Sequence, residues 1–314
     1  MNMNTLVEEN FLDEKEFLNS FEAIKKLKNS DKEHTFNTHL ETMKTVFKED
    51  SLVKDIRIPM DKLGGNDGKD LIRKLTGWKG ELFSLLEFDG FGGYCPLHVM
   101  HNGGYLHPHL DHSFIKKGKF IHVGNCILYM NKNWNKEWGG ATAFYKVDSL
   151  NLFNNKAKPF NLCYPEANKA LAFIHDSFSF HGVTKISCPS NKERFTYYMD
   201  YYINKEDLGK YIRSLSEHTS FKYKFAKHET IHLPFSINKK GNYILSSIFR
   251  RSAVPYLRRY LNYLISLNDA DFDVNPKYIF NLFPKLNSFI EITDKFLSRT
   301  IKPILKPIYH KLKN

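Results

Sequence analysis

A mainly β core flanked by helices is the fold class that this sequence predicts, and three observations predict it. Leu97–Met100, Phe120–Met130, Ala141–Tyr145 and Lys169–Ile174 read as strands, all within one central stretch. Before residue 60 the apolar residues recur at helical spacing. Beyond about residue 210 the chain turns basic and mixes cationic with apolar residues. The expected organisation is an N-terminal helical support over residues 1–95, integrated with the core, then a core over 96–210 and a basic, mainly helical region over 211–314.

The N-terminal support comes first. Asp13–Leu27 has the apolar spacing of a helix, stopped by Asn29-Ser30-Asp31. Phe36–Phe47 reads as a second helix, with Leu40, Met43, Val46 and Phe47 on one side. Leu63-Gly64-Gly65-Asn66-Asp67-Gly68-Lys69 has the look of a phosphate loop but lacks the GxxxxGK[ST] pattern. It reads instead as a flexible turn, with Asn66 or Asp67 capping a short helix. Trp78 and Leu82–Leu86 are expected to pack on the core, and Phe91-Gly92-Gly93-Tyr94 to turn into it.

The core carries the chemistry. Its first motif is His107-Pro108-His109-Leu110-Asp111-His112, and its second is His175–Val183, which contains His181. Residues two apart on a strand point the same way, so His109 and Asp111 can face one point. His181 could reach that point from a distant strand. Two imidazoles and a carboxylate on one side of a metal leave open positions on the other, the arrangement of non-haem Fe(II) oxygenases. His107 and His112 compete with His109, and His175 with His181. The residue two beyond His107 is an imidazole, and on a strand His112 would point away from Asp111. With 14 histidines in the chain, the pair alone is weak evidence.

The ordered set is more specific. Gly103-Gly104-Tyr105 leads into His109-x-Asp111. Asn125–Asn131, Trp134 and Trp138–Phe144 follow, then Leu171-Ala172-Phe173, His181-Gly182-Val183 and Arg194-x-Thr196. This series resembles the Fe(II)- and 2-oxoglutarate-dependent oxygenases, in their prolyl-4-hydroxylase-like branch. The resemblance covers about a third of the chain. It implies a double-stranded β-helix, or jelly roll, and a metal triad of His109, Asp111 and His181. It implies Fe(II), O2 and 2-oxoglutarate, with ascorbate as an optional reductant. Arg194 is the implied grip on the far carboxylate of 2-oxoglutarate, because a guanidinium can hold a carboxylate bidentately. Thr196 shares its strand parity and can add a hydroxyl. Lys185 and Lys192 are rival anchors. Asn125 and Tyr129 lie on a strand that lines the cosubstrate pocket in the family. Tyr105 is read equally as a site residue or as a packed tyrosine. Gly139-Gly140 suggests a special turn or a close backbone approach.

The implied reaction is hydroxylation of an unactivated C–H bond, with release of succinate and CO2. The substrate classes left open are a peptidyl proline or free amino acid, and a sugar or carrier-linked metabolite. Desaturation or ring closure is an alternative outcome, and a non-catalytic jelly-roll binding or scaffold protein is the alternative from another class. Halogenation is disfavoured because Asp111 is present.

Bulk properties narrow the remaining classes. The chain has 314 residues, enough for a sizeable core. It has no run of 18 apolar residues and no secretory pattern at its start. Four scattered cysteines form no CxxC pair, which argues against a zinc knuckle or a dithiol redox motif. A reducing, cytoplasmic setting is the expectation. The formal net charge is +12, and residues 211–314 hold 18 Lys or Arg against 7 Asp or Glu. This basic region has three readings: a helical cover that could form a homodimer, a dock for an anionic inner-membrane surface or phosphate-bearing carrier, and a nucleic-acid site. The last has no recognised motif behind it. Helical pieces are expected at 276–283 and 287–300.

Overall fold

The computed structural model describes residues 5–38, 40–48, 52–88, 94–145 and 159–232, with short strands at 236–237 and 243–244. The chain opens with β1 (Thr5–Glu9) and α1 (Glu14–Lys25), then β2 (Lys32–Asn37) and β3 (Glu41–Lys48). Helices α2 (Lys54–Gly64) and α3 (Asn66–Thr76) follow, then β4 (Phe83–Ser84) and the long β5 (Tyr94–Leu110). Next are β6 (Phe114–Ile115), β7 (Phe120–Tyr129), β8 (Thr142–Phe144), β9 (Asn161–Cys163), β10 (Lys169–Ile174), β11 (His181–Val183) and β12 (Arg194–Asn204). Helix α4 (Leu208–His218) and β13 (Ile231–His232) end the main body. No helix among the described residues is long and apolar enough to cross a membrane.

The strands form one curled antiparallel sheet in the order β1-β10-β7-β12-β5-β11-β8-β9, the mainly β, jelly-roll-like class expected. Strand β5 joins its two halves. Residues 97–100 of β5 pair with β12, whereas Leu106 and His109 pair with β11. Between them Gly103 has φ +84°, a conformation that glycine takes without a Cβ clash. This turn within β5 carries its C-terminal end, with His109, across to the second half of the sheet.

Strand parity then sorts the residues. On β7, Cys126 and Leu128 face the main core, whereas Asn125 and Ile127 line a cavity. On β12, Phe195, Tyr197, Met199 and Tyr201 join the core, whereas Arg194, Thr196, Tyr198 and Asp200 line the same cavity. Helices α1–α3 cover the outer face of the core through Phe17, Ile24, Ile56, Leu63 and Ile72. The buried phenols are tied to helix ends: Tyr197 donates to the Ile56 carbonyl at 2.8 Å and Tyr201 to the Leu63 carbonyl at 2.6 Å. Left without such partners, each hydroxyl would cost about 1–3 kcal/mol.

Several N-terminal expectations are corrected. Residues 5–60 are not mainly helical, since three strands lie among them. Phe36–Phe47 is not a helix but most of the hairpin β2–β3, and β3 pairs with β5. Its turn is built by side chains: Thr38 Oγ1 accepts from the Glu41 amide, and Asn37 Oδ1 from the Met43 amide. Met43 has φ +53°, and the register shifts there, which breaks the two-residue alternation that marks a strand. Pairing with β5 outweighed a weak local preference. The turn expected at 63–69 is the joint of two helices at Gly65, which itself occupies the cap position of α3. Neither Asn66 nor Asp67 is that cap. The turn at 91–93 and the helices expected at 276–283 and 287–300 lie outside the described residues.

Candidate metal centre

His109 is the penultimate residue of β5, and Asp111 lies just beyond the end of that strand. His181 opens β11 and is the direct cross-strand partner of His109. Antiparallel pairing thus turns a separation of 72 residues into neighbouring side chains. His109 Nε2 is 3.5 Å from Asp111 Oδ1, and His181 Nε2 is 3.5 Å from Asp111 Oδ2. The three donor atoms lie within 4.8 Å of one another.

Each imidazole is oriented from behind. His109 Nδ1 is 2.9 Å from the His107 carbonyl, and His181 Nδ1 is 3.0 Å from the Ser179 carbonyl. A carbonyl only accepts, so both Nδ1 atoms carry a proton and both Nε2 atoms face Asp111. That is the outer support a metal-binding histidine needs. Asn125 Nδ2 donates to Asp111 Oδ2 at 3.0 Å and to Asp200 Oδ1 at 2.8 Å. Burial opposes charge on Asp111, yet the imidazoles of His181 and His109 hold its pKa well below the ordinary carboxylate value. Burial also works against a charged His109, but Asp111 outweighs it and leaves that pKa raised. His181 is pushed down to about 4 by burial and by His109. A carboxylate beside two imidazoles is the donor set that a divalent iron takes, and binding it would displace any proton on His109 Nε2.

A second cluster shares Asp111. His122, His175 and Asp111 also bring donor atoms within 4.8 Å, as do His112, His122 and Asp200. Both nitrogens of His122 face carbonyls, whereas His175 Nε2 is buried without a hydrogen-bond partner. His122 Nδ1 lies 3.0 Å from the His112 carbonyl, and its Nε2 lies 3.1 Å from the Gly124 carbonyl. His112 Nε2 lies 2.7 Å from the Tyr202 hydroxyl. The His122 and His175 rings stack at 4.1 Å and 14°, so their in-plane lone pairs run side by side rather than converging. His175, the rival distal ligand, belongs to this stack. His112 turns away from the triad, as expected, though it sits beyond the end of β5 rather than on a strand.

The triad lines a cavity of about 380 Å³. Arg194 lies in its wall, 2% exposed. Its Nε donates to the Gly140 carbonyl at 2.7 Å, its Nη1 to Thr196 Oγ1 at 3.2 Å, and its Nη2 to Thr142 Oγ1 at 3.3 Å. Gly140 has φ +72°, and a Cβ there would meet the Arg194 side chain at 3.3 Å. The two-glycine turn therefore brings a backbone carbonyl against the guanidinium. All three oxygen partners are neutral, and no carboxylate of a described residue pairs with Arg194. A buried cation left in this state calls for an anion. The rivals Lys185 and Lys192 are exposed. Thr142, which sequence reasoning missed, shares Arg194 with Thr196. It lies two residues beyond the special turn, and that position was the available signal.

Two other sequence candidates stand outside the cavity lining. Tyr129 is fully buried and donates to Thr142 Oγ1 at 2.6 Å, with its ring centroid 5.5 Å from Arg194 Cζ. The Tyr105 ring packs against His107 with centroids 5.4 Å apart. The outer cavity wall comes from residues that carried no motif: Phe36, Glu41 and Lys44 of the hairpin, His98 of β5, Tyr198 of β12, and Thr230.

Residues 95–200 match the family model described as the 2OG-Fe(II) oxygenase superfamily. Among solved structures, a Trichoplax adhaerens prolyl hydroxylase in complex with a hypoxia inducible factor peptide fragment is similar at 14% identity. It covers 66% of this chain and 87% of that one, with a TM-score of 0.43. A Pseudomonas putida prolyl-4-hydroxylase is similar at 13% identity, over 65% and 94%, with a TM-score of 0.41. HygX from Streptomyces hygroscopicus, with nickel and 2-oxoglutarate bound, is similar at 9% identity, over 65% and 84%, with a TM-score of 0.41. No curated protein matches the chain.

Proposed function

We propose that this chain, a 2-oxoglutarate-dependent dioxygenase that belongs over residues 95–200 to the 2OG-Fe(II) oxygenase superfamily, hydroxylates an unactivated C–H bond of a small molecule or peptidyl residue. His109, Asp111 and His181 hold Fe(II) in this reading. Arg194, Thr196 and Thr142 hold the far carboxylate of 2-oxoglutarate. Bound together, Fe(II) and 2-oxoglutarate supply the oxidising chemistry, in which one atom of O2 ends in succinate and the other in the product. The observation that carries the reading is the buried guanidinium of Arg194, which lines the cavity of the triad with no carboxylate partner among the described residues.

The chain's own residues do the rest. The carbonyls of His107 and Ser179 keep both Nε2 lone pairs pointed inward. Asn125 steadies one oxygen of Asp111. The guanidinium and the two threonine hydroxyls fix the orientation of the cosubstrate, and Ile127 and Phe173 shield the cavity with apolar surface. Phe36, Val46, His98, Met100 and Tyr198 would position the substrate C–H, where orientation decides which bond reacts. Burial and the nearby cations Lys44 and Arg194 keep His98 neutral, its pKa well below the ordinary value.

Anaerobic titration of the apoprotein with Fe(II) and 2-oxoglutarate tests this. A weak visible charge-transfer band that needs both additions is the expected result. Succinate release can then be followed across candidate substrates. Absence of iron binding would sink the proposal and return the fold to a binding role.

A further inference from the structure

Two of the three proposed ligands sit where a strand has just ended or just begun. Asp111 follows the last residue of β5, and His181 opens a strand of three residues after the loop 175–180. Regular pairing holds His109 firmly but leaves these two loops to be held by something else. Residues 221–232 do so, and they lie beyond the family match, which ends at residue 200.

This strap is anchored at its start by Phe221 and Tyr223, both buried in the main core, with the Tyr223 ring 5.5 Å from that of Tyr211. It then makes three ties. The Lys224 carbonyl accepts from the Ser177 amide at 2.8 Å, in the loop whose Ser179 carbonyl orients His181. The His228 carbonyl accepts from the Ser113 amide at 3.0 Å and from Ser113 Oγ at 3.0 Å. The His228 amide donates back to Ser113 Oγ at 2.7 Å, two residues from Asp111. Lastly, β13 pairs Ile231 with Leu110 and His232 with His109. Thr230, between these last two ties, lines the cavity. One segment of a dozen residues therefore grips the strand of His109, the loop of Asp111 and the loop of His181.

We infer that residues 221–232 are a positioning element of the metal centre, with Ser113 as its main point of grip and Thr230 as its contribution to the substrate wall. This rests on the ligand assignment proposed above. The physical reason is that a bound ion gains from three donors only if their separation is set before it arrives. The strap restricts all three to one geometry without touching the ion. It also means that part of the basic C-terminal region, residues 221–232, runs beside the active site.

Iron binding by full-chain variants tests this. Ser113→Ala removes both side-chain bonds to His228 but keeps the backbone one. Ser113→Thr keeps the hydroxyl and serves as the rescue. Fe(II) affinity, the rate of iron loss to a chelator and the charge-transfer band would be measured beside the melting temperature of each apoprotein. We expect Ser113→Ala to weaken iron about ten- to hundredfold, the usual effect of losing outer support, with a shifted band. The threonine variant should bind as the wild type does. Ile231→Val, a gentler change beside Leu110, should speed iron loss in the same direction. Wild-type iron affinity in both Ser113→Ala and Ile231→Val would overturn the inference. So would a loss that merely follows the melting temperature and is not restored by threonine. A wild type that binds no iron would instead defeat the oxygenase proposal itself.

Discussion

Two clusters of histidine around one aspartate lie side by side in this molecule, and they differ in a way that bears on metal binding. His109 and His181 meet Asp111 on one side, and His122 and His175 approach it on the other, each set within 4.8 Å. The residue types and the spacing are the same. In the first pair one nitrogen of each ring is tied to a carbonyl and the other faces Asp111. In the second, both nitrogens of His122 face carbonyls and the rings lie flat on each other. The first cluster can turn its Nε2 atoms and its carboxylate onto an ion without breaking a bond to a carbonyl. The second must break bonds inside a buried stack before it can do so, at about 1–3 kcal/mol for each group left unpaired. The direction in which the ring nitrogens point, more than donor count, separates a candidate centre from a structural cluster.

Replacement of ligands gives the largest expected effect. His109→Ala and His181→Ala should each abolish the iron-dependent band, because two remaining protein donors hold Fe(II) poorly. By contrast, His175→Leu should weaken iron far less than either, because the ring stacks on His122 and bonds Ser179 rather than a proposed ligand. Loss of iron in His175→Leu, with His181→Ala unaffected, would reverse the assignment of the two clusters. Equilibrium iron titration decides it.

Arg194→Met extends the comparison to charge. It should weaken 2-oxoglutarate about ten- to hundredfold, the range for losing a charged hydrogen bond, and leave Fe(II) binding alone unchanged. Isothermal titration with each ligand separates the two. A smaller effect than that of Lys185→Met would move the carboxylate grip elsewhere.

The smallest effect concerns the loop beside the blocked cluster. Burial pushes Asp176 up to about 7 from 3.8, despite amide hydrogen bonds that lower it. The folded protein thus holds a proton that the unfolded chain releases. Stability linked to Asp176 is complete below the unfolded value and declines as pH rises toward about 7. Asp176→Asn should therefore show a melting temperature that gains on the wild type through this window and stays level above it. A gap that narrows with rising pH would contradict the buried, protonated state.

Much of the site was legible in the sequence because its motifs are local. His109-x-Asp111, His181-Gly182-Val183 and Arg194-x-Thr196 each sit within a few residues, and two-residue alternation separates Asn125 and Ile127 from Cys126 and Leu128. The hairpin was not legible. A register shift at Met43 hides its alternation, and its strand character depends on β5, some fifty residues away. The strap was hidden for a similar reason, since its ties run through backbone groups that every residue carries.

By itself, the sequence determined the mainly β class, the order of the ligand motifs and the residues that can bear charge or coordinate an ion. Side-chain chemistry and two-residue periodicity are properties of short segments and need no partner to be read. Tertiary structure alone decided which histidine nitrogens face Asp111 rather than a carbonyl, which threonines meet Arg194, and what closes the cavity from the hairpin and from Thr230. Those outcomes depend on the register between distant strands and on which carbonyl faces which nitrogen. Long-range pairing sets both, and a linear sequence does not display them.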